Sequence, residues 1–91
     1  MSYSVNWKNT PAGNGIAEGD TIIVTVKGAQ HISGGVFFND MPMIAGFAMG
    51  NTMKIKLARK GWNLKGSTFV LKTRAYKKGQ IIGYDDAFIV M

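Results

Sequence analysis

Short runs of strand character, separated by glycine and asparagine, constrain the fold of this chain more than any other feature. Six such runs occur, at 3–8, 21–27, 36–38, 52–57, 68–76 and 81–90. In the clearest of them, apolar and polar residues alternate, as expected where successive side chains of a strand point to opposite faces. The segment 41–49 is the nearest helical candidate, but Pro42 and Gly46 interrupt it. The pattern therefore predicts six or seven strands and no helix.

Length and composition restrict these strands to one domain, residues 1–91. Hydrophobic residues make up 46% of the chain and charged residues 18%, which excludes intrinsic disorder. No apolar stretch approaches the ~18 residues of a membrane span. No signal peptide is visible, so the sequence leaves the localisation unknown. Strands at this spacing predict an antiparallel sandwich, with a small barrel as the alternative.

The residues that enzymes use are sparse. The absence of cysteine excludes disulfides, thiolate zinc sites and cysteine nucleophiles. His31 is the only histidine, which excludes a multi-histidine metal site, and it is interpreted as a loop residue beside Gly28 and Gly34. Asp85 and Asp86 are adjacent in a predicted strand, so they point to opposite faces and cannot act as a pair. We therefore predict no enzyme, no catalytic residue, no metal and no cofactor.

The run 18–26 resembles the second strand of bacterial immunoglobulin-like domains, where a Gly-Asp turn leads into a β-branched strand. In that family's order, 36–40 would be the third strand, 52–57 a middle strand, and 68–76 with 81–90 the closing hairpin. The resemblance implies an immunoglobulin-like β-sandwich, although the cysteine pair and third-strand tryptophan of antibody-type domains are absent. Such domains act as spacers, adhesion modules and decorations on bacterial surfaces and phage particles, and they share no catalytic residues.

A second resemblance concerns the small calcium-dependent galactose-binding lectins of Gram-negative bacteria. Residues 36–42 are similar to a lectin strand that ends in Asn-Asp-Val-Pro, which implies a sugar partner and a calcium ion bound by Asp40. Those lectins supply an Asn-Asn pair one short loop later, whereas residues 46–49 here offer no oxygen ligand. Sugar binding therefore stays as the third hypothesis.

The positive charge lies mainly in the second half of the chain. The net charge is +6, and nine of the eleven Lys and Arg residues follow residue 50. Such asymmetry indicates an anionic partner, although a net charge of this size also serves solubility. The candidate contacts for nucleic acid are Lys54, Lys56, Lys72, Arg74 and Tyr76. They form one face if their two strands pair directly, and no single patch if the strands belong to opposite sheets of a sandwich.

The segment 41–49 carries no charge and contains three of the six methionines. One interpretation is a connection folded over the open end of the core. The other is an apolar surface for self-association or a protein partner, because exposed apolar patches mark interfaces. The candidate interface residues are Met41, Met43, Ile44, Phe47 and Met49.

Trp62 lies in a predicted loop between two lysine-glycine pairs. A loop tryptophan can stack on a sugar or a base, or it can close the end of a sandwich beside Leu64. Both interpretations stay open from the sequence.

The function predicted from the sequence is a non-catalytic binding or assembly module with an immunoglobulin-like sandwich. Its expected partner is another protein or a second copy of the chain. The alternatives are a nucleic-acid-binding domain that uses a basic face and a small sugar-binding lectin.

Overall fold

Seven β-strands are present in the computed structural model, which describes residues 1–7 and 16–91. They are β1 (Ser2–Asn6), β2 (Thr21–Lys27), β3 (His31–Phe38), β4 (Met41–Met49), β5 (Thr52–Lys56), β6 (Thr68–Lys77) and β7 (Gln80–Ile89). Within these two ranges, no helix has the length and apolarity that crossing a membrane requires. Lys8, the predicted end of the first strand, lies outside the described residues.

The strands form two antiparallel sheets. A three-stranded sheet has the order β1-β2-β5, and a four-stranded sheet has the order β4-β3-β6-β7. The all-β prediction is thereby confirmed, and the arrangement is consistent with the predicted sandwich. Because β5 and β6 belong to different sheets, the two lysine-bearing strands do not pair.

Two stretches differ from the sequence-based expectation. His31 begins β3, so it is a strand residue and not a loop residue. The segment 41–49 is strand β4 and not a connection folded over the core. Asn39 and Asp40 explain the difference, because their φ angles of 48° and 63° are those of a two-residue hairpin turn that returns the chain beside β3. Pro42 is tolerated because it lies near the start of an edge strand.

The core lies between the two sheets and is most aromatic at one end. The rings of Trp7 and Phe88 have centroids 5.2 Å apart, and those of Phe69 and Phe88 are 5.9 Å apart. Phe38 extends the cluster, with its ring 5.5 Å from that of Phe69. Each such pair adds about 0.5–1.5 kcal/mol beyond the area it buries. Phe88 contacts two rings and is therefore central to this end of the core.

Tyrosine side chains link the two sheets where β1 lies beside β7. The rings of Tyr3 and Tyr84 stack 5.3 Å apart, and the Tyr3 hydroxyl donates to the carbonyl oxygen of Ile82 at 2.8 Å. The Tyr84 hydroxyl donates to Oδ2 of Asp86 at 2.9 Å. Burial, together with the hydrogen bond and charge of Asp86, raises the pKa of Tyr84 to about 12. Asp85 is exposed on the opposite side of β7, so the adjacent carboxylates do not share a site.

Candidate contact surface on the four-stranded sheet

One row of side chains crosses all four strands on the outer face of the four-stranded sheet. The register aligns Met49 with His31, His31 with Tyr76, and Tyr76 with Ile81. Met49 is 77% exposed and Ile81 is 65% exposed, which is high for such large apolar side chains. The two ends of this row are therefore apolar and open to solvent.

Aromatic rings fill the middle of the row. His31 stacks on Tyr76 with a centroid distance of 4.2 Å and an angle of 17° between the planes. Phe47, one row away and 64% exposed, lies 6.0 Å from the His31 ring. We call His31, Phe47, Met49, Tyr76 and Ile81 the apolar patch. Contiguous exposed apolar groups of this kind mark contact surfaces in soluble proteins.

A β-bulge decides which residues of β4 belong to this surface. The register between β3 and β4 shifts between Val36 and Phe37, which leaves Met43 as the extra residue on β4. Met43 is therefore buried, with 5% exposure, and Ile44 packs partly against the core. Met41 is exposed near the hairpin turn, apart from the patch. The five predicted interface residues are thus divided, and only Phe47 and Met49 lie in the apolar patch.

On the inner side, β4 packs closely on β5. A Cβ atom added at Gly46 would lie 2.8 Å from Cγ1 of Ile55 and 3.0 Å from Sδ of Met53. Any side chain at this position would make Ile55 and Met53 move, so glycine favours the close approach of β4 to the core. The exposed side chains of β4 lie on its other face, turned toward solvent.

The five candidate nucleic-acid contacts lie on two separate surfaces. Lys54 and Lys56 are exposed on β5 in the three-stranded sheet. Lys72, Arg74 and Tyr76 share the outer face of β6 in the four-stranded sheet. The structure therefore does not bring the five together into one patch.

Charged side chains of both signs lie along the same outer face, farther from the apolar patch. Nζ of Lys72 forms an ion pair with Oδ1 of Asp40 at 3.4 Å and lies 5.1 Å from the centroid of the Phe37 ring. Lys72 also faces Asp85 on the neighbouring strand. The Arg74 guanidinium extends over Gly83, where an added Cβ would lie 3.1 Å from Nη1. Lys77 and Lys78 line a shallow pocket together with His31, Tyr76 and Ile81, so the charges nearest to the apolar patch are mainly positive.

Trp62 lies outside the apolar patch, in the connection between β5 and β6. Its side chain is 47% exposed, and the Arg59 guanidinium carbon lies 5.6 Å from its ring centroid. Leu64 is buried, and its N–H donates to Oε1 of Glu18 at 3.0 Å. Leu64 thus closes this end of the core, while the indole stays partly open to solvent.

Asp40 lies in the turn between β3 and β4, where its carboxylate is exposed and pairs with Lys72. Across residues 1–7 and 16–91, no three His, Asp or Glu side chains are grouped closely enough to hold a metal ion. Asp40 therefore belongs to no such group in this part of the chain.

Sequence reasoning missed two members of the apolar patch, His31 and Ile81. In its strand, Ile81 is an even number of residues from Asp85, so the alternation of side chains could have predicted that both lie on the outer face. His31 could be assigned to this face only once its strand was known to begin at residue 31.

Comparisons with protein-family models, with curated proteins and with solved structures give no significant match.

Proposed function

We propose that this chain is a non-catalytic binding and assembly module, which associates with protein surfaces, its own copies included, through the apolar patch. The observation that carries the proposal is the exposure of Phe47, Met49 and Ile81 on the same outer face of the four-stranded sheet. Water contact with these side chains is unfavourable by roughly 25 cal/mol for each Å² of apolar surface, and association removes it. Tyr, Phe and Met are also enriched at the centres of protein interfaces.

The order of the strands supports an immunoglobulin-like identity for the module. Its first, second and fifth strands share one sheet, and its third, sixth and seventh strands share the other. Immunoglobulin domains divide the corresponding strands in the same way. The fourth strand differs from the constant-type arrangement, since here it extends the sheet of the third strand. This difference places β4 at the edge of the apolar patch.

The nucleic-acid alternative has less support, because Lys54 and Lys56 are on the other sheet from Lys72 and Arg74. The effect of salt concentration on binding distinguishes the two hypotheses, because each predicts the opposite direction of change. Phosphate binding weakens as salt rises, because it depends on counterion release. Self-association of copies that each carry a net charge of +6 strengthens, because salt screens their repulsion.

The substitution Phe47→Asp is expected to lower the self-association constant at least about tenfold, because an unpaired charge would be taken out of water. Since Phe47 is largely exposed in the single chain, the free energy of unfolding should change by less than about 1 kcal/mol. Sedimentation velocity from low to high micromolar concentration measures the association, and urea unfolding measures the stability.

Ser4→Asp is the matched control, since Ser4 is exposed on β1 in the other sheet and receives the same charge. This variant should associate like the wild type. Wild-type protein that stays monomeric throughout this range, at low and at high salt, would contradict the assembly function.

A further inference from the structure

In residues 1–7 and 16–91, four strands lie at sheet edges, and three of them carry protection against pairing with another chain. The strand β7 carries Asp85 and Asp86, and β5 carries Lys54 and Lys56. The third, β1, is only five residues long and mostly polar. Charges and short length are the devices by which natural proteins block edge-to-edge pairing. The fourth edge strand, β4, is nine residues long and has no charged residue.

The hydrogen bonds at the end of β4 show which of its backbone groups are open. The N–H of Gly50 donates to the carbonyl oxygen of Gln30 at 2.7 Å, which is on the side of β3. In a trans peptide group the N–H and C=O point in opposite directions, so the carbonyl of Met49 points away from β3. Along a strand, alternate residues direct both groups to the same side. The N–H and C=O of Ala45, Phe47 and Met49 therefore face the free edge.

The other end of the β4 edge is closed. Nη1 of Arg59 donates to the carbonyl oxygen of Met43 at 2.6 Å and lies 3.5 Å from that of Pro42. Pro42 has no N–H to offer a neighbouring strand. The open part of the edge is therefore the stretch 44–49, and it adjoins the apolar patch.

We infer that this edge pairs with β4 of a second copy, antiparallel and about a two-fold axis at Phe47. In this register Phe47 faces Phe47 of the partner subunit, and Ala45 faces Met49 of the partner subunit. Each of the three residues with open backbone groups then meets another such residue, so every open N–H and C=O finds a partner. The inference rests on the proposed function and specifies its partner and its geometry.

A second copy fits this edge because β4 carries no charge and meets no like-charge repulsion when it pairs with itself. Antiparallel pairing of β5 with itself would bring lysines together, and pairing of β7 with itself would bring aspartates together, which is destabilising. Pairing of β4 with itself brings no like charges opposite each other. Instead, it places the two Phe47 rings side by side on the outer face, where cross-strand aromatic pairs stabilise a sheet.

The length of the strand sets the expected strength of the dimer. The six residues of the open edge, 44–49, span about 20 Å at about 3.3 Å each, and the seam adds only the side chains beside it. Such an interface falls below about 1,200 Å², at the low end of specific interfaces. We therefore expect a reversible dimer that forms at micromolar concentrations.

Single-cysteine variants test the register, because the chain has no cysteine of its own. In the inferred dimer, the Cα atoms of the two Phe47 residues are about 5.5 Å apart, within the range that a disulfide spans. Phe47→Cys should therefore cross-link under mild oxidation at least about tenfold faster than Ile81→Cys. Ile81 is a matched control, since it is equally exposed on the same face but lies on β7 at the opposite edge.

A second arrangement of cysteines keeps Phe47 in place. A mixture of Ala45→Cys and Met49→Cys, with one variant carrying a mass tag, should yield mainly mixed disulfide dimers, because these two positions face each other across the seam. Equal cross-linking of Phe47→Cys and Ile81→Cys, with no preference for mixed dimers and with wild-type protein associating, would overturn the edge pairing and leave the assembly function standing. Wild-type protein that never associates would overturn both.

Discussion

Gly34→Ala is expected to lower the free energy of unfolding by about 4 kcal/mol or more, the sum of backbone strain and overpacking. The φ angle of Gly34 is 153°, a conformation that a residue with a side chain rarely adopts. A Cβ at this position would also overlap the carbonyl oxygen of Lys72 on the neighbouring strand. Because small domains have only about 5–15 kcal/mol of stability, this variant should lose a large share of it and unfold at a much lower urea concentration than the wild type.

The variant Gly61→Ala distinguishes the cost of backbone strain from the cost of steric overlap with a neighbouring strand. Gly61 also has a positive φ angle, 82°, but an added Cβ would meet no atom within 4 Å. Its substitution should therefore lower stability by only about 1 kcal/mol. Urea unfolding followed by circular dichroism measures both variants. If Gly34→Ala were no less stable than Gly61→Ala, the close approach of β3 and β6 would be wrong.

Phe88→Ala is expected to destabilise the protein by about 3–5 kcal/mol, the usual range when a buried phenylalanine is truncated. The side chain is almost fully buried and contacts the rings of Trp7 and Phe69, so its removal leaves a cavity at the aromatic end of the core. A small domain has few other contacts with which to refill this space.

Ile89→Ala is the control for this loss. Ile89 follows Phe88 in the chain, but its side chain points to the outer face and is exposed. Truncation there should change the free energy of unfolding by less than about 1 kcal/mol. Thermal and urea unfolding of both variants test the difference. Similar losses at the two positions would contradict the assignment of inward and outward faces on β7.

The sequence reveals most strands because their two faces differ in polarity. Within β5, for example, Met53 and Ile55 are buried while Lys54 and Lys56 are exposed. The strand β4 follows the same alternation of burial, but its residues on both faces are apolar or small. Alternation of polarity is therefore absent, and the strand cannot be recognised from its pattern. The exposed apolar side chains of β4 make the strand hard to recognise from the sequence, and two of them, Phe47 and Met49, belong to the apolar patch.

The candidate sites depend on which strands are neighbours, and local sequence carries little information on this. Whether Lys54 and Lys72 share a surface is decided by the pairing of β5 with β2 and of β6 with β3. The patch likewise depends on long-range register, since His31 meets Tyr76 only through the pairing of β3 and β6. Sequence analysis could therefore name Phe47 and Met49 as interface residues and Tyr76 as a nucleic-acid contact, but it could not show that His31 joins them on one face.

Amide hydrogen exchange as a function of protein concentration tests assembly through β4 most directly, because it requires no substitution. In the single chain, the N–H groups of Ala45, Phe47 and Met49 face the free edge, whereas that of Ala48 faces β3 and serves as an internal reference. We predict that the first three amides exchange rapidly in dilute solution and become protected as sedimentation reports dimers, while protection of Ala48 stays nearly constant. Rapid exchange of the Phe47 amide at concentrations where the protein is dimeric would contradict pairing through this edge.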